Sequence, residues 1–394
     1  MNEAVIVGYA RTPIGKFSGG LSSMTAMDLG GVAIKGALER SGVPGDSVEY
    51  VVMGHVLQAG QGQITARQAA FRAGIGMGTP ALTVNKVCLS GMSAIALANQ
   101  SIQLGEYDVV VAGGMESMSN APYLLPKARA GYRMGNGTLV DSMIHDGLWC
   151  AFDDGHMGET SDKVNTKLEI SREAQDEWSA ASHERAVTAW KDGKYAEEVI
   201  PVAVPQRKGD PVTVDTDEGM RPGTTAESLS KLVGAFNRES GTITAGNASQ
   251  ISDGGAAVIM MSRAKAEELG ITPLGRVLSY GTVAGPDPSL HHQPAAAIQK
   301  AAGKIDADPS GFDLYEMNEA FASVAIHSAN LLNLDADRVN VNGGAVALGH
   351  PIGCTGARIT ITLLNELRNR GGGRGAAALC GGGGQGDALI IETL

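Results

Sequence analysis

The chain has 394 residues, 43% of them hydrophobic, and a formal net charge of -11. That length and apolar content exclude a disordered chain and allow two or three domains around a sizeable core. The acidic balance excludes a general nucleic-acid binder, which neutralises phosphates with clustered Lys and Arg, and an anionic ligand would need a local basic patch.

In chain order, the opening "MNEAVIVGYARTPIGKF" has no basic leader region, and no run reaches the roughly 18 apolar residues of a membrane span. The closing "IETL" is no peroxisomal or retention address. "SVEYVVMGHV" predicts a strand that breaks into a polar loop at Gly54-His55. "VNKVCLSGMSAIALANQSIQLGEYDVVVAGG" predicts a short strand, a glycine-rich turn, a helix ended by Gly105 and a buried strand from Val109 to Ala112. Around residue 171 an amphipathic helix opens at Ser171, with Ala174, Trp178, Ala181 and Val187 at helical spacing. "GAAVIMMS" at 255–262 predicts another strand.

The second half repeats this order. "GFDLYEMNEA" again ends a strand in a polar loop, at Asn318-Glu319. "VNVNGGAVALGHPIGCTGARITITLLNELRNRGGGRGAAALCGGGG" again gives strand, glycine-rich turn, helix ended by Gly371 and small-residue strand ending at Cys380. After Cys380 the chain passes directly into the strand "DALIIETL", whereas the first copy waits until 255–262 for its matching strand. Residues 119–248 are therefore an insertion, expected to form a lobe of their own. The expected domains are 1–118 completed by 249–270, the insertion 119–248, and 271–394. Strands alternating with helices make the class α/β, with ligands expected at strand ends where glycine-rich loops allow close backbone approach.

Four cysteines, Cys88, Cys150, Cys354 and Cys380, are widely spaced with no CxxC pair. That argues against a disulfide scaffold and a zinc site and fits a reducing cytoplasm. Cys88 follows a strand and precedes a helix, where the helix N-terminus would lower its pKa and favour a thiolate. A small apolar residue would fit the same position. His350, Asn318 and Cys380 also lie at strand ends or helix starts; by residue type alone His350 could be a hydrogen-bonded loop residue, Asn318 a turn residue and Cys380 core. Cys150 and Cys354 are read as packing.

A set of motifs in fixed order narrows these readings. The chain resembles the thiolase family over essentially its whole length: "RTPIGKF", "VCLSGM", "GGMESMS", "HMGET", "GNASQISDGGAA", "NEAFA", "NVNGGAVALGHPIGCTGAR" and "LCGGGGQG". The resemblance implies the thiolase fold, two duplicated halves in a five-layer αβαβα core with an inserted loop domain that binds coenzyme A. It implies acyl transfer between thioesters, with Cys88 as nucleophile, Cys380 as base, His350 with a water on Asn318 holding an enolate oxygen, and the backbone N–H groups of Cys88 and Gly382 holding a tetrahedral oxyanion.

Matching positions place coenzyme A against Leu148, His156, Met157, Arg221, Ser228, Ala235, Phe236, Ala245, Ser249 and Phe321. Coenzyme A and acyl-CoA are then substrates, and no cofactor or metal is implied. "HMG" at 156–158 resembles the acetyl-CoA C-acetyltransferase type, which interconverts two acetyl-CoA with acetoacetyl-CoA and CoA by a ping-pong mechanism through acetyl-Cys88. That type usually adds a Met-Gly pair in a later loop. This chain has Leu290 and His291 there, which keeps a broader 3-ketoacyl-CoA thiolase open. A decarboxylating condensing enzyme needs no Cys380-type base, and a thiolase-fold scaffold without turnover needs no reactive set. Family likeness further implies a homotetramer, a dimer of dimers joined through the 119–140 stretch.

Overall fold

The computed structural model describes residues 2–394. The first half contributes strands β1 (Ala4–Arg11), β2 (Tyr50–Gly54), β3 (Ala81–Val84), β4 (Val109–Ser117) and β5 (Ser252–Ser262). The second contributes β6 (Gly275–Ala284), β7 (Leu314–Met317), β8 (Arg374–Gly381) and β9 (Gln385–Thr393). They lie in the order β7-β8-β9-β6-β1-β5-β4-β2-β3, and the two-residue strand Gly15–Lys16 pairs with β5.

The duplication read from the sequence is the symmetry of this order. In the first half β2, β3 and β4 are parallel, and β5 runs antiparallel between β4 and β1. In the second half β7 and β8 are parallel, and β9 runs antiparallel between β8 and β6. A parallel bridge from Tyr315 to Val339 stands where β3 pairs with β2. The delayed strand is found where it was expected: β5 pairs with β4 from Asp253–Ser117 to Met261–Val109. The halves meet edge to edge at one pair, Ile6 with Gly275.

Helices cover the sheet in layers. On the outer face of the first half lie α1 (Ala26–Ser41) and α2 (Thr65–Arg72), closing a core of Ile34, Val51, Val111 and Ile259. On the outer face of the second half lie α6 (Gln293–Gly303) and α7 (Ala322–Leu331), closing one of Ile298, Tyr315 and Ile390. Between the half-sheets run α3 (Ser90–Leu104) and α8 (Thr355–Asn369), and their Ile95, Ile102, Ile359 and Leu363 share one core with strands of both halves. The fold is therefore a five-layer α/β arrangement. The two central helices touch at their first turns: a Cβ on Gly91 would lie 2.9 Å from the backbone of Ala357 and Gly353, and one on Gly356 would strike Met92. Only glycine at both positions lets the two helix starts, and the turns before them, approach this closely.

The inserted segment carries α4 (Met157–Lys167) and α5 (Arg172–Lys191), together with three short hairpins. Its buried apolar residues join clusters shared with the two halves: Val202 and Val204 pack with Leu21, Met24 and Leu29, and Ala186, Ala189 and Tyr195 pack with Ile14, Ala347 and Leu348. Ser171 caps α5 as expected, accepting from the Ala174 N–H. The buried face of that helix differs from the expected one. It is Gln175, Asp176, Ser179, Ser182, His183, Ala186 and Ala189, a stripe whose polar groups find partners, Ser182 Oγ donating to Glu319 at 2.8 Å and Asp176 pairing with Arg172 at 2.7 Å. The apolar periodicity at 174, 178, 181 and 187 marks the flank of that face, because burial here follows satisfied hydrogen bonding as well as hydropathy. Among the described residues no helix is long and apolar enough to cross a membrane.

Candidate active site

Cys88 sits on a strained turn between β3 and α3. Val87, a β-branched residue, is held at φ 49°, in the left-handed region that such residues avoid. The turn is fixed from several sides: Asn85 Oδ1 accepts the Val87 N–H, Ser90 Oγ accepts the Lys86 N–H at 2.8 Å, and the same hydroxyl donates to Val87 O at 2.6 Å. This turn sets Cys88 across the cavity from Gly382, on the turn after β8, whose backbone N–H favours the charged form of the thiol. A Cβ on Gly382 would sit 3.4–3.5 Å from Val87 and the Met157 sulfur, inside the same space.

His350 lies on the matching connection of the second half, just before α8. Its backbone N–H donates to Gln250 O at 3.0 Å. Its Nδ1 is 2.7 Å from Thr355 Oγ1 and its Nε2 is 3.4 Å from Asn318 Nδ2. Asn318 follows β7, its N–H donating to Ala378 O at 2.9 Å. The Asn318 side chain is buried behind the imidazole, and its Oδ1 has no hydrogen-bond partner among the described residues. Cys380, one residue before the end of β8, is also buried.

Cys88, His350, Cys380 and Gly382 line one cavity of about 230 Å³, together with Met118, Ile352, Leu290 and Ala320. The walls are chiefly apolar, and that sets the charge states. Burial pushes the Cys88 thiol up to about 12, against the pull of the Gly382 and Cys88 backbone N–H groups. Burial likewise raises Cys380, and a charge on Cys88 raises it further. Burial, aided by the Arg358 charge, lowers His350 to about 3. The thiolate expected from the helix start is thus corrected: desolvation of the sulfur outweighs the helix terminus, and the resting site is neutral.

The model of the thiolase N-terminal domain matches residues 4–264 and that of the C-terminal domain residues 271–393. The chain belongs to the thiolase family. A probable acetyl-CoA acetyltransferase of Mycobacterium tuberculosis is 55% identical over 100% of both chains. An acetyl-CoA acetyltransferase of Cupriavidus necator is 50% identical, again over 100% of both. The crystal structure of the Bacillus anthracis acetyl-CoA acetyltransferase superposes with a TM-score of 0.97 at 42% identity, covering 100% of this chain and 99% of that one. As a thiolase the chain is an enzyme, an acyltransferase.

Of the residues expected to touch coenzyme A in this thiolase, Leu148, His156, Met157, Phe236, Ser249 and Phe321 line the cavity. His156 caps α4, its Nδ1 accepting the Gly158 N–H, and its ring packs on Phe236 at 4.7 Å between centroids. Arg221, Ser228, Ala235 and Ala245 lie outside the cavity wall on exposed parts of the insertion. Ser228 there belongs to a capping box with Thr225.

Residues that sequence reasoning did not single out hold this site together. Glu116 is fully buried, and its carboxylate accepts the N–H groups of Val56, Leu57 and Gly353 at 3.0–3.2 Å. It thereby ties the loop after β2 to the loop that carries His350. Gln250 donates its side-chain amide to Gly219 O and Val346 O while its backbone carbonyl accepts the His350 N–H. Both stand inside motifs quoted above, "GGMESMS" and "GNASQISDGGAA"; a polar residue inside a strand-end motif was the available signal.

Proposed function

We propose that this thiolase is an acetyl-CoA C-acetyltransferase that joins two acetyl-CoA into acetoacetyl-CoA and CoA, reversibly, through an acetyl group held on Cys88. The observation that carries this reading is that two buried thiols, Cys88 and Cys380, face one apolar cavity with the His350 imidazole on its wall.

In the first half-reaction His350 Nε2 takes the Cys88 proton and the sulfur attacks the thioester carbonyl. The oxyanion accepts from the N–H groups of Cys88 and Gly382. The carbon–sulfur bond to CoA breaks, and the leaving thiolate takes the Cys380 proton. Two consequences follow from that proton balance. His350 keeps its Nε2–H, ready to hold an enolate oxygen together with a water on Asn318. Cys380 is left as a thiolate, a strong base because burial raises its pKa.

In the second half-reaction Cys380 removes a methyl proton from a second acetyl-CoA. The enolate carbon attacks the acetyl carbonyl on Cys88, acetoacetyl-CoA departs, and the Cys88 sulfur recovers its proton from His350. The pantetheine arm runs past Leu148, Met157, Phe236, Ser249 and Phe321, while Arg221, Ser228, Ala235 and Ala245 face the nucleotide end. Leu290 and Met157 pack in one cluster beside Cys380, which favours a short acyl group.

The exposed Leu125, Met134 and Leu139 of the 119–140 stretch offer an apolar surface for pairing dimers into a tetramer. Mass spectrometry of the intact chain after brief exposure to acetyl-CoA, with peptide mapping, tests the reaction. One acetyl group is expected, on the Cys88 peptide; an unlabelled chain, or a label elsewhere that persists in Cys88→Ala, overturns it.

A further inference from the structure

The mechanism needs His350 Nε2 to begin as a bare lone pair, because only then can it take the Cys88 proton. A neutral imidazole carries its hydrogen on one nitrogen or the other, and the hydrogen bond at the far nitrogen decides which. Here the far nitrogen, Nδ1, lies 2.7 Å from Thr355 Oγ1. That hydroxyl is itself 2.9 Å from Pro351 O, a carbonyl that can only accept. Thr355 has one hydroxyl proton. If the proton points to Pro351 O, both contacts are hydrogen bonds and Nδ1 must carry the hydrogen. If it points to Nδ1, two oxygens with lone pairs face each other at 2.9 Å.

Nε2 lies 3.4 Å from the Asn318 side-chain amide, too long a contact to set the tautomer, so the short contact at Nδ1 decides it. Thr355 is fully buried at the first position of α8, so water does not substitute for it.

We infer that Thr355 is a positioning residue for the acyl-transfer reaction proposed above: it accepts the Nδ1–H of His350, holds the imidazole in that tautomer, and so keeps Nε2 open for the Cys88 proton. The hydroxyl also fixes the ring plane, since Thr355 is anchored to Pro351 through its backbone N–H as well, at 3.0 Å. Without the hydroxyl, a buried Nδ1–H has no acceptor, and the tautomer with hydrogen on Nε2 becomes the better one.

The test is the single-turnover acetylation of Cys88 by acetyl-CoA, followed by mass across the pH range in wild type, Thr355→Ser, Thr355→Val and Thr355→Ala. Thr355→Ser keeps the hydroxyl and should acetylate within about twofold of wild type. The hydroxyl-free variant that retains the wild-type Tm should acetylate about 10- to 100-fold more slowly, with KM for acetyl-CoA unchanged and the pH profile of acetylation displaced. A hydroxyl-free variant with the wild-type rate and profile overturns the inference, as does a serine variant as slow as alanine at unchanged Tm. Failure of the wild-type chain to acetylate at all would overturn the proposed reaction itself, and with it this role.

Discussion

Cys88, on the turn before α3, and Gly382, on the turn after β8, line one cavity from opposite halves of the chain. The proposed nucleophile comes from one half of the molecule and the backbone N–H that favours its charged form from the other. Because the Gly382 backbone is free of positive φ and a Cβ there would make ordinary contacts of 3.4–3.5 Å, Gly382→Ala should fold with a Tm close to wild type. Its methyl would nevertheless occupy the space of the incoming thioester. We expect kcat/KM for acetyl-CoA to fall about 10- to 100-fold; an alanine variant with the wild-type value would remove Gly382 from the acylation step.

Cys380 should separate from Cys88 in a half-reaction assay. Cys88→Ala should take up no acetyl group. Cys380→Ala should still be acetylated on Cys88, though more slowly because the leaving thiolate then lacks the Cys380 proton, and should lose the exchange of acetyl-CoA methyl protons with deuterated water by about 10²- to 10⁴-fold, the usual contribution of a positioned base. Undiminished methyl exchange in Cys380→Ala would assign the base elsewhere.

Acid should destabilise this thiolase through its buried histidines. His350 and His291 are lowered to about 3 and His183 to about 4, each chiefly by burial. In the unfolded chain they titrate near 6.5, so below that pH the unfolded state binds protons that the folded state refuses. Their contribution is complete above pH 6.5 and is lost as pH falls toward the folded values. Between pH 7 and pH 5 the loss is on the order of 2 kcal/mol for each fully buried ring. Urea unfolding at fixed protein concentration should show the decline. His291→Gln, which keeps a donor for Asn165 Oδ1, now 2.8 Å from the His291 Nε2, should flatten it. A stability unchanged from pH 7 to pH 5 would contradict the neutral, buried state of these residues.

The halves and the delayed strand were legible in the sequence because strand, glycine turn and helix recur there in the same order, and a repeated order survives without knowledge of contacts. The face of α5 was not legible. Its burial is set by Glu319, more than a hundred residues further along the chain, which takes hydrogen bonds from Trp178 and Ser182, and no periodicity records such a partner. Cys88, His350 and Cys380 could be named from their motifs, but the direction of the Cys88 shift could not. A helix start is visible in sequence, whereas the apolar walls contributed by Met118, Ile352 and Phe321 come together only in three dimensions. Thr355 shows the same limit: it stood in a quoted motif, and only its distance to His350 gives the hydroxyl a role.

Leu290 replaces the methionine expected in the later loop, and its position makes the acyl range testable. It is buried, lines the cavity, and packs in one cluster with Met157, Ala320, Phe321 and Cys380. Leu and Met differ little in volume, so Leu290→Met should leave chain-length preference as it is. Leu290→Ala removes apolar volume beside the two buried thiols and should admit a longer acyl group. Since a methylene in an apolar pocket is worth about 1–3 kcal/mol, the ratio of thiolysis of 3-ketohexanoyl-CoA to acetoacetyl-CoA should rise about 10-fold or more. Some stability is lost alongside, about 2–5 kcal/mol for a buried Leu→Ala change, so the ratio is the readout because it cancels the fraction of folded enzyme. An unchanged ratio in Leu290→Ala would mean that the acyl chain runs away from this side of the cavity, and that Met157 alone limits its length.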